Sequence, residues 1–326
     1  MPQVTEKKSL MEKFRDPNFK IARKGKWYAI APLVLIVVGL IIVLTINFNL
    51  GLDFTGGRTI RVNGITSENY SAIRGQINSV MNDNNVHGGT FRIWQEDSDT
   101  TGLSIVVQFQ DLRNADMDEV SALIIERIEA IENVTGAEEV GMISASASQD
   151  HITRTFIAVA AALLGILVYM LFRFKFTSGV AALIGLIHDV LVMMALVAIF
   201  RIQINAAFIA ALITVIAYSV NNTLILFDRI RGIEKNNDKN EGVETMIDRG
   251  VKETFQRTMN TTITTLVPIF ILVIFGVPLI REFAIPILFG LIAGTFSTIF
   301  VTTSLYLRFE RARIAVRKRK KATATT

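Results

Sequence analysis

The sequence predicts a polytopic α-helical membrane protein: six transmembrane helices, with a small α+β ferredoxin-like domain between the first and the second. Three observations carry that prediction. Of 326 residues, 51% are hydrophobic and the mean hydropathy is +0.43. The apolar residues gather into long uncharged blocks instead of recurring at amphipathic spacing. Lysine and arginine crowd into some of the connections between blocks and are sparse in one long connection.

A hydrocarbon core of about 30 Å takes roughly 20 helical residues. Uncharged windows of that size fall at 27–52, 155–172, 176–200, 202–227, 258–280 and 283–307, the third broken by His188 and Asp189. Lipid offers no partner to a bare backbone amide, so each window is expected to be a helix. The expected organisation is a basic N-terminus at 1–26, a first span at 27–48 and an outer domain at 49–152. Spans at 153–172, 176–200 and 203–227 follow. A loop at 228–256 with an amphipathic helix, spans at 257–279 and 283–307, and a basic tail at 308–326 complete the chain. Pro32, Pro268, Pro278 and Pro286 are expected to kink or end their helices. The first span reads as a retained anchor, being too long for a signal peptide and lacking a small-residue cleavage site.

Orientation follows from the positive charges. Residues 1–26 hold eight Lys and Arg, the Arg173/Lys175 turn two, residues 229–257 seven and the tail from Arg308 eight, together 25 of 34. All four groups share one side if the spans alternate, which makes both termini cytoplasmic. Residues 53–150 contain no lysine, six arginines and sixteen acids, and are placed outside. The tail "RFERARIAVRKRKKA" is read as facing anionic lipid head groups, not nucleic acid. Cysteine is absent, so neither a disulfide nor a thiolate nucleophile is available.

Within the outer segment "RTIRV" alternates like a strand and "SENYSAIRGQINSVMNDN" runs at helical period behind a Ser cap. "TFRIWQ" and "GLSIVVQFQ" pattern as paired strands, "NADMDEVSALIIERIEAIEN" as a second helix and "AEEVGMISAS" as a last strand. That order is βαββαβ, the split plait of ferredoxin-like domains.

Two stretches carry more than architecture. "NLGLDFTGGRTIRV" puts Asp53, Gly56 and Gly57 where the chain leaves the first span, and the glycine pair permits a tight backbone path. "YSVNNTLILFDRIR" sets Asn221, Asn222 and Thr223 inside an apolar run of 26 residues that ends in Asp228, Arg229 and Arg231. By depth along the helices, Asn222 is expected to lie level with Arg257 and to meet it across the hairpin of the fourth and fifth spans, with Asn260, Thr261, Thr264 and Thr265 extending a polar stripe. The charged run from Asp228 reads as a helix exit anchored at the interface. The "IAVAAALLGIL" and "SGVAALIGLI" repeats read as small-residue packing surfaces. His188 and Asp189 fit either a buried pair that fixes packing or an intramembrane proton site. His87 and His151 have no ligand partners at metal spacing, so neither a metal nor a cofactor is expected.

The glycine motif behind a first of six spans, with "LIHDV", "YSVNNTLILFDRIR" and "FQRTMNTTITTLVP" at their places, resembles the SecD/SecF family of bacterial protein-translocation accessories, and its SecF branch in particular. The resemblance runs from about Trp27 to Arg308. It implies half of an RND-like twelve-helix unit in the bacterial cytoplasmic membrane, completed by a SecD-like subunit. It also implies action with the SecYEG channel, YidC and YajC on translocating preproteins, driven by the proton or sodium gradient. Family members read "VND" where this chain reads "VNN", and that Asp acts in proton transfer with the Arg matched by Arg257. Asn222 cannot titrate, and guanidinium stays protonated. The titrating carboxylate is therefore expected on the partner, with Asn222 and Arg257 as its frame and Asp189 in reserve. The competing functions are half of an RND exporter for small molecules or lipids, and an intramembrane hydrolase. The first fits poorly with so small an outer domain. The second lacks a serine nucleophile motif, and no phosphate-binding loop offers ATP chemistry.

Overall fold

The computed structural model describes residues 21–65, 70–83, 92–98, 102–109, 117–131, 134, 136–143, 145–236 and 241–323. The chain divides into two compact units: Leu50–Ala158, and Met1–Asn49 with Val159–Thr326. Its first long helix, α1 (Ile30–Ile46), has 17 residues and precedes the smaller unit.

The smaller unit runs β1 (Gly57–Ile65), α2 (Tyr70–Asp83), β2 (Arg92–Ser98), β3 (Gly102–Phe109), α3 (Met117–Glu129) and β4 (Gly136–Ile143). All strand pairs are antiparallel and the sheet order is β2-β3-β1-β4, with β1 at the centre beside β4. Helical spacing explains the core: Ile73, Ile77 and Val80 on α2 and Val120, Ile124 and Ile128 on α3 are buried against Ile60 and Val62 of β1. The Ser cap expected at position 67 lies outside the described residues.

Helix α4 (Ala145–Arg173) belongs to the smaller unit up to Ala158 and to the larger unit from Val159, and the larger unit continues with α5 (Phe176–Ile199), α6 (Ala206–Lys235), α7 (Val243–Phe275) and α8 (Pro278–Phe296). A π-helical turn at Ser297–Thr302 joins α8 to α9 (Thr303–Thr323). Among the described residues five helical runs are long and apolar enough to cross a membrane, and α1 is a shorter apolar helix. Burial sorts them. Half or nearly half of the apolar windows of α5 and α6 is buried, and two-thirds of that of the α8–α9 run, against none of α4. Close approach at the centre needs glycine. A Cβ on Gly290 of α8 would lie 2.3 Å from Val215 of α6, and one on Gly39 of α1 would lie 2.4 Å from Ala195 of α5.

Several expected boundaries change. Helix α6 does not end at Phe227 but continues to Lys235, and α7 begins at Val243, so the amphipathic segment of the loop is the first part of α7. Pro268 and Pro286 lie inside α7 and α8 without ending them, while Pro278 opens α8. Proline lacks an N–H, which costs nothing in a first turn. A Cβ on Gly165 of "IAVAAALLGIL" would meet nothing within 4 Å among the described residues, and Ala158, Ala160 and Ala161 of the same stretch are exposed. Gly179, Ala181 and Gly185 of "SGVAALIGLI" are buried.

Candidate functional site

The polar residues of α6 follow its buried face. Phe208, Ala211, Leu212, Val215, Ile216, Ser219, Asn222, Thr223, Leu226 and Phe227 recur at three- and four-residue spacing and are all buried. That face packs on α5 and α8, and there the polar groups find one another. Asp189, 0% exposed in mid-α5, accepts a hydrogen bond from Ser219 Oγ on one carboxylate oxygen and lies 3.1 Å from His188 Nδ1 on the other. Gly294 of α8 packs closely beside this pair: a Cβ there would stand 3.3 Å from Ser219 Cβ, a tight contact, and 3.5 Å from Asp189 Oδ2, an ordinary one. Towards the α9 end, Thr223 Oγ1 is 3.3 Å from Thr298 Oγ1. Tyr218 donates to Thr262, which is 2.9 Å from Thr295, so α6, α7 and α8 are laced by hydroxyls. Buried hydroxyls without partners would each cost about 1–3 kcal/mol, which makes such pairs a register device between helices.

Asn222 departs from this pattern. It is 0% exposed and neither its amide oxygen nor its amide nitrogen has a hydrogen-bond partner among the described residues. The bond expected between Asn222 and Arg257 is not made. Asn222 lies on the inward face of α6, whereas Arg257 is exposed on α7. Depth along two helices was the basis of the expectation, and it fixes level but not the direction each side chain takes around its helix.

Arg257 instead belongs to an outward stripe. Asn221, Arg257, Asn260 and Thr264 are exposed, with Thr261 and Thr265 half-buried beside them. The threonine hydroxyls turn back onto carbonyls of their own helix: Thr261 to Arg257, Thr264 to Asn260, Thr265 to Thr261. This satisfies them in an apolar setting and leaves no polar group of the chain opposite the guanidinium among the described contacts.

Asp228, Arg229 and Arg231, expected as a helix exit, sit within α6, one to two turns before its end. They form a charged clamp. Asp228 pairs with Arg173 at 3.0 Å, Arg231 donates to the Arg173 carbonyl at 2.9 Å, and Arg229 pairs with Glu253 of α7. Burial pushes the Glu253 carboxyl up, but hydrogen bonds from Arg229 and Arg249 outweigh it and hold the group below the usual carboxylate range. Two groups that the sequence gave no reason to single out matter here and in the smaller unit. Asp248, 6% exposed, accepts the backbone N–H groups of Ile21 (3.0 Å) and Ala22 (2.9 Å), so α7 holds the start of the helical turn Ala22–Lys24. Its one visible signal is its place beside Ile247 and Val251 on the buried face. Arg58 is 8% exposed and pairs with Asp118 (2.5 Å) and Glu139 (3.2 Å). Burial draws its pKa down, and the bonds to Asp118 and Glu139 more than offset that, leaving it raised.

The glycine motif has a conformational cause. Gly56 and Gly57 take φ of 72° and 138°, values that a side chain opposes, as the short helix Leu52–Thr55 turns into β1. Asp53 lies half-buried in that short helix. Among the described residues no group of three His, Cys, Asp or Glu is placed to hold a metal ion, His151 is exposed, and His87 lies outside them.

Residues 125–312 match the family described as protein export membrane protein SecD/SecF, C-terminal, and residues 42–63 match the SecD/SecF GG motif. The protein translocase subunit SecF of Ketogulonicigenium vulgare is 32% identical over 86% of this chain and 87% of its own length. The protein translocase subunit SecDF of Thermus thermophilus is 29% identical over 92% of this chain, which spans 40% of that longer protein. A crystal structure of SecDF in a super-membrane-facing form superposes with a TM-score of 0.65 at 28% identity, covering 94% of this chain and 40% of that one.

Proposed function

The chain belongs to the SecD/SecF family of protein-export membrane proteins as a SecF-like, multi-pass accessory subunit of the Sec translocase, and from that premise we propose how it works. It pairs with a SecD-like subunit through the outward stripe of α6 and α7. The observation that carries this is Arg257: a permanent cation, exposed where the charged first part of α7 gives way to its apolar part, with no counter-charge in the chain's described contacts. Such a residue is costly in lipid unless a second surface supplies a partner, and the relatives that join SecD and SecF in one chain give that surface a source.

The remaining parts of the reading are of the same kind. Counting α1 with the five longer runs gives six spans, half of an RND-like twelve-helix unit. The sheet order β2-β3-β1-β4 with two helices supports a ferredoxin-like outer domain. Charge asymmetry supports both termini in the cytoplasm, with SecYEG, YidC or YajC and anionic lipids as further neighbours. The chain promotes preprotein export without catalysing a covalent step, driven by the proton or sodium gradient. The titrating carboxylate sits on the partner opposite Arg257, with Asn221, Asn260 and the threonines around it. Asn222 has the shape of an aspartate side chain and none of its charge.

The test is export of a secreted reporter from vesicles holding the chain and its SecD-like subunit under an imposed ion gradient. Arg257→Ala is expected to abolish the gradient-dependent part while the protein stays inserted. Normal gradient-dependent export by a stably inserted Arg257→Ala protein contradicts the reading.

A further inference from the structure

Where the turns that lead into α1 meet the α8–α9 run, the chain encloses a cavity of about 510 Å³ that the export reading does not use. Arg23, Arg308 and Arg311 line it, no acid is among its lining residues, and Ala29, Val301 and Leu305 give it an apolar wall. Helical spacing explains the α9 side. Val301, Leu305, Arg308 and Arg311 recur at three- and four-residue intervals, so one face turns from apolar to cationic over about 15 Å.

Both walls are held in place by the chain itself. Asp248 of α7 accepts the N–H groups of Ile21 and Ala22. Gly25 packs so closely on Ser304 that a Cβ would clash, and the ring centroids of Tyr28 and Phe300 lie 4.3 Å apart. Arg311 pairs with Glu244, whereas Arg23 and Arg308 are exposed and have no ion pair among the described residues. A fixed concavity with two uncompensated guanidinium groups attracts an anion. Its place in the chain selects which anion. The uncharged windows of the first and last spans end at Trp27 and Leu307, so the arginines stand just outside the hydrocarbon, while Ala29, Val301 and Leu305 stand just inside it. Trp27, 77% exposed, has the amphipathic ring that sits at head-group level. A free anion would use the arginines alone, and a lipid uses both halves of the cavity.

We propose that this cavity is a binding site for an anionic phospholipid, with Arg23 and Arg308 on its phosphodiester and Ala29, Val301 and Leu305 against its glycerol and first acyl carbons. Guanidinium presents paired N–H donors that match phosphate oxygens, and basic pockets between membrane helices take phospholipid head groups. The lipid then joins the start of the first span to the end of the last through a ligand that the membrane supplies. This inference deepens the reading of anionic lipids as neighbours and rests on it, giving them one site in place of a diffuse attraction to the basic tail.

The test uses the full chain carrying Trp94→Phe, which leaves Trp27 as its one tryptophan, reconstituted in phosphatidylcholine vesicles. Phosphatidylglycerol with brominated acyl chains is expected to quench Trp27 at a mole fraction about tenfold lower than brominated phosphatidylcholine does. Arg23→Gln with Arg308→Gln is expected to abolish that preference, and Ala29→Phe, which fills the apolar wall and leaves every charge, to lower it severalfold. Arg319→Gln with Lys320→Gln, on the tail beyond the cavity, is expected to keep it. Equal quenching by the two lipids in the unaltered chain overturns the site. So does a preference lost as fully from the tail pair as from Arg23 and Arg308, or one that Ala29→Phe leaves intact, since either marks diffuse surface attraction. Millimolar inorganic phosphate, compared with sodium chloride at equal ionic strength, is expected to leave the preference unchanged; its loss in phosphate alone assigns the cavity to the free anion and overturns the lipid. The vesicles carry the lipid in both leaflets and no gradient is imposed, so failure of the topology or of gradient-driven export leaves this result untouched, and the reverse holds as well.

Discussion

The bundle interior around Asp189 and the outer face of α7 around Arg257 are both polar regions among apolar helices, and they are built in opposite ways. Asp189 is fully enclosed, with Ser219 and His188 as partners from the chain itself. Arg257 is exposed on a helix whose apolar window is 11% buried, and its threonine neighbours bond their own backbone. An enclosed polar group fixes how helices of one chain pack. An exposed one within the bilayer is incomplete until another surface covers it. The interior is therefore expected to govern stability and the stripe to govern assembly.

Substitutions that crowd the interior break the comparison most forcefully. Gly290→Val forces a side chain into Val215, and is expected to cost about 3 kcal/mol, read as a lowered melting temperature of the purified chain in detergent. In the smaller unit Gly57→Ala opposes a φ of 138° and is expected to cost about 2 kcal/mol, leaving the membrane helices folded. An unchanged melting profile for Gly290→Val removes the claim that the α6–α8 contact is tight.

A smaller effect concerns the tie between α7 and the backbone at Ile21 and Ala22. Burial raises the Asp248 carboxyl above its usual range, against the pull of the Ala22 and Ile21 amides. A raised folded value means that the folded state holds the proton more tightly than the unfolded one. The stabilisation is thus fully present below the ordinary aspartate range and is lost as pH rises through the raised value. Hydrogen exchange at the Ile21 and Ala22 amides, corrected for intrinsic rates over about pH 4 to 7, is expected to show protection falling with pH. Asp248→Asn keeps an acceptor and should flatten that profile; an unaltered slope assigns it to another group.

What sequence could and could not reveal follows the same division. Long uncharged runs located the helices, because lipid leaves the backbone no other choice, and alternation in "RTIRV" and "GLSIVVQFQ" located β1 and β3. The Gly56-Gly57 turn was legible because positive φ restricts the residue type. Helix ends were not. Residues 228–235 are charged enough to suggest a loop, yet Arg173 and Glu253 pair with them and the helix persists. The pairing of Asn222 with Arg257 failed for a related reason: their depth was computable from spacing, while the rotation of each helix depends on tertiary packing. Asp248 and Arg58 escaped notice because a buried charge is identified by what surrounds it, and their partners lie between 60 and 227 residues away.

The stripe's role as the meeting surface with a second subunit is open to one direct measurement, and the absence of native cysteine makes it clean. Single cysteines at Asn260 on the stripe and at Leu164 on the exposed side of α4, installed as Asn260→Cys and Leu164→Cys, are treated in membranes with a short thiol-to-amine or photoactivated cross-linker. The account predicts a cross-linked product containing the SecD-like subunit from position 260 and none from position 164. Cross-linking to that subunit from 164 with none from 260, in membranes where both proteins are present, contradicts it.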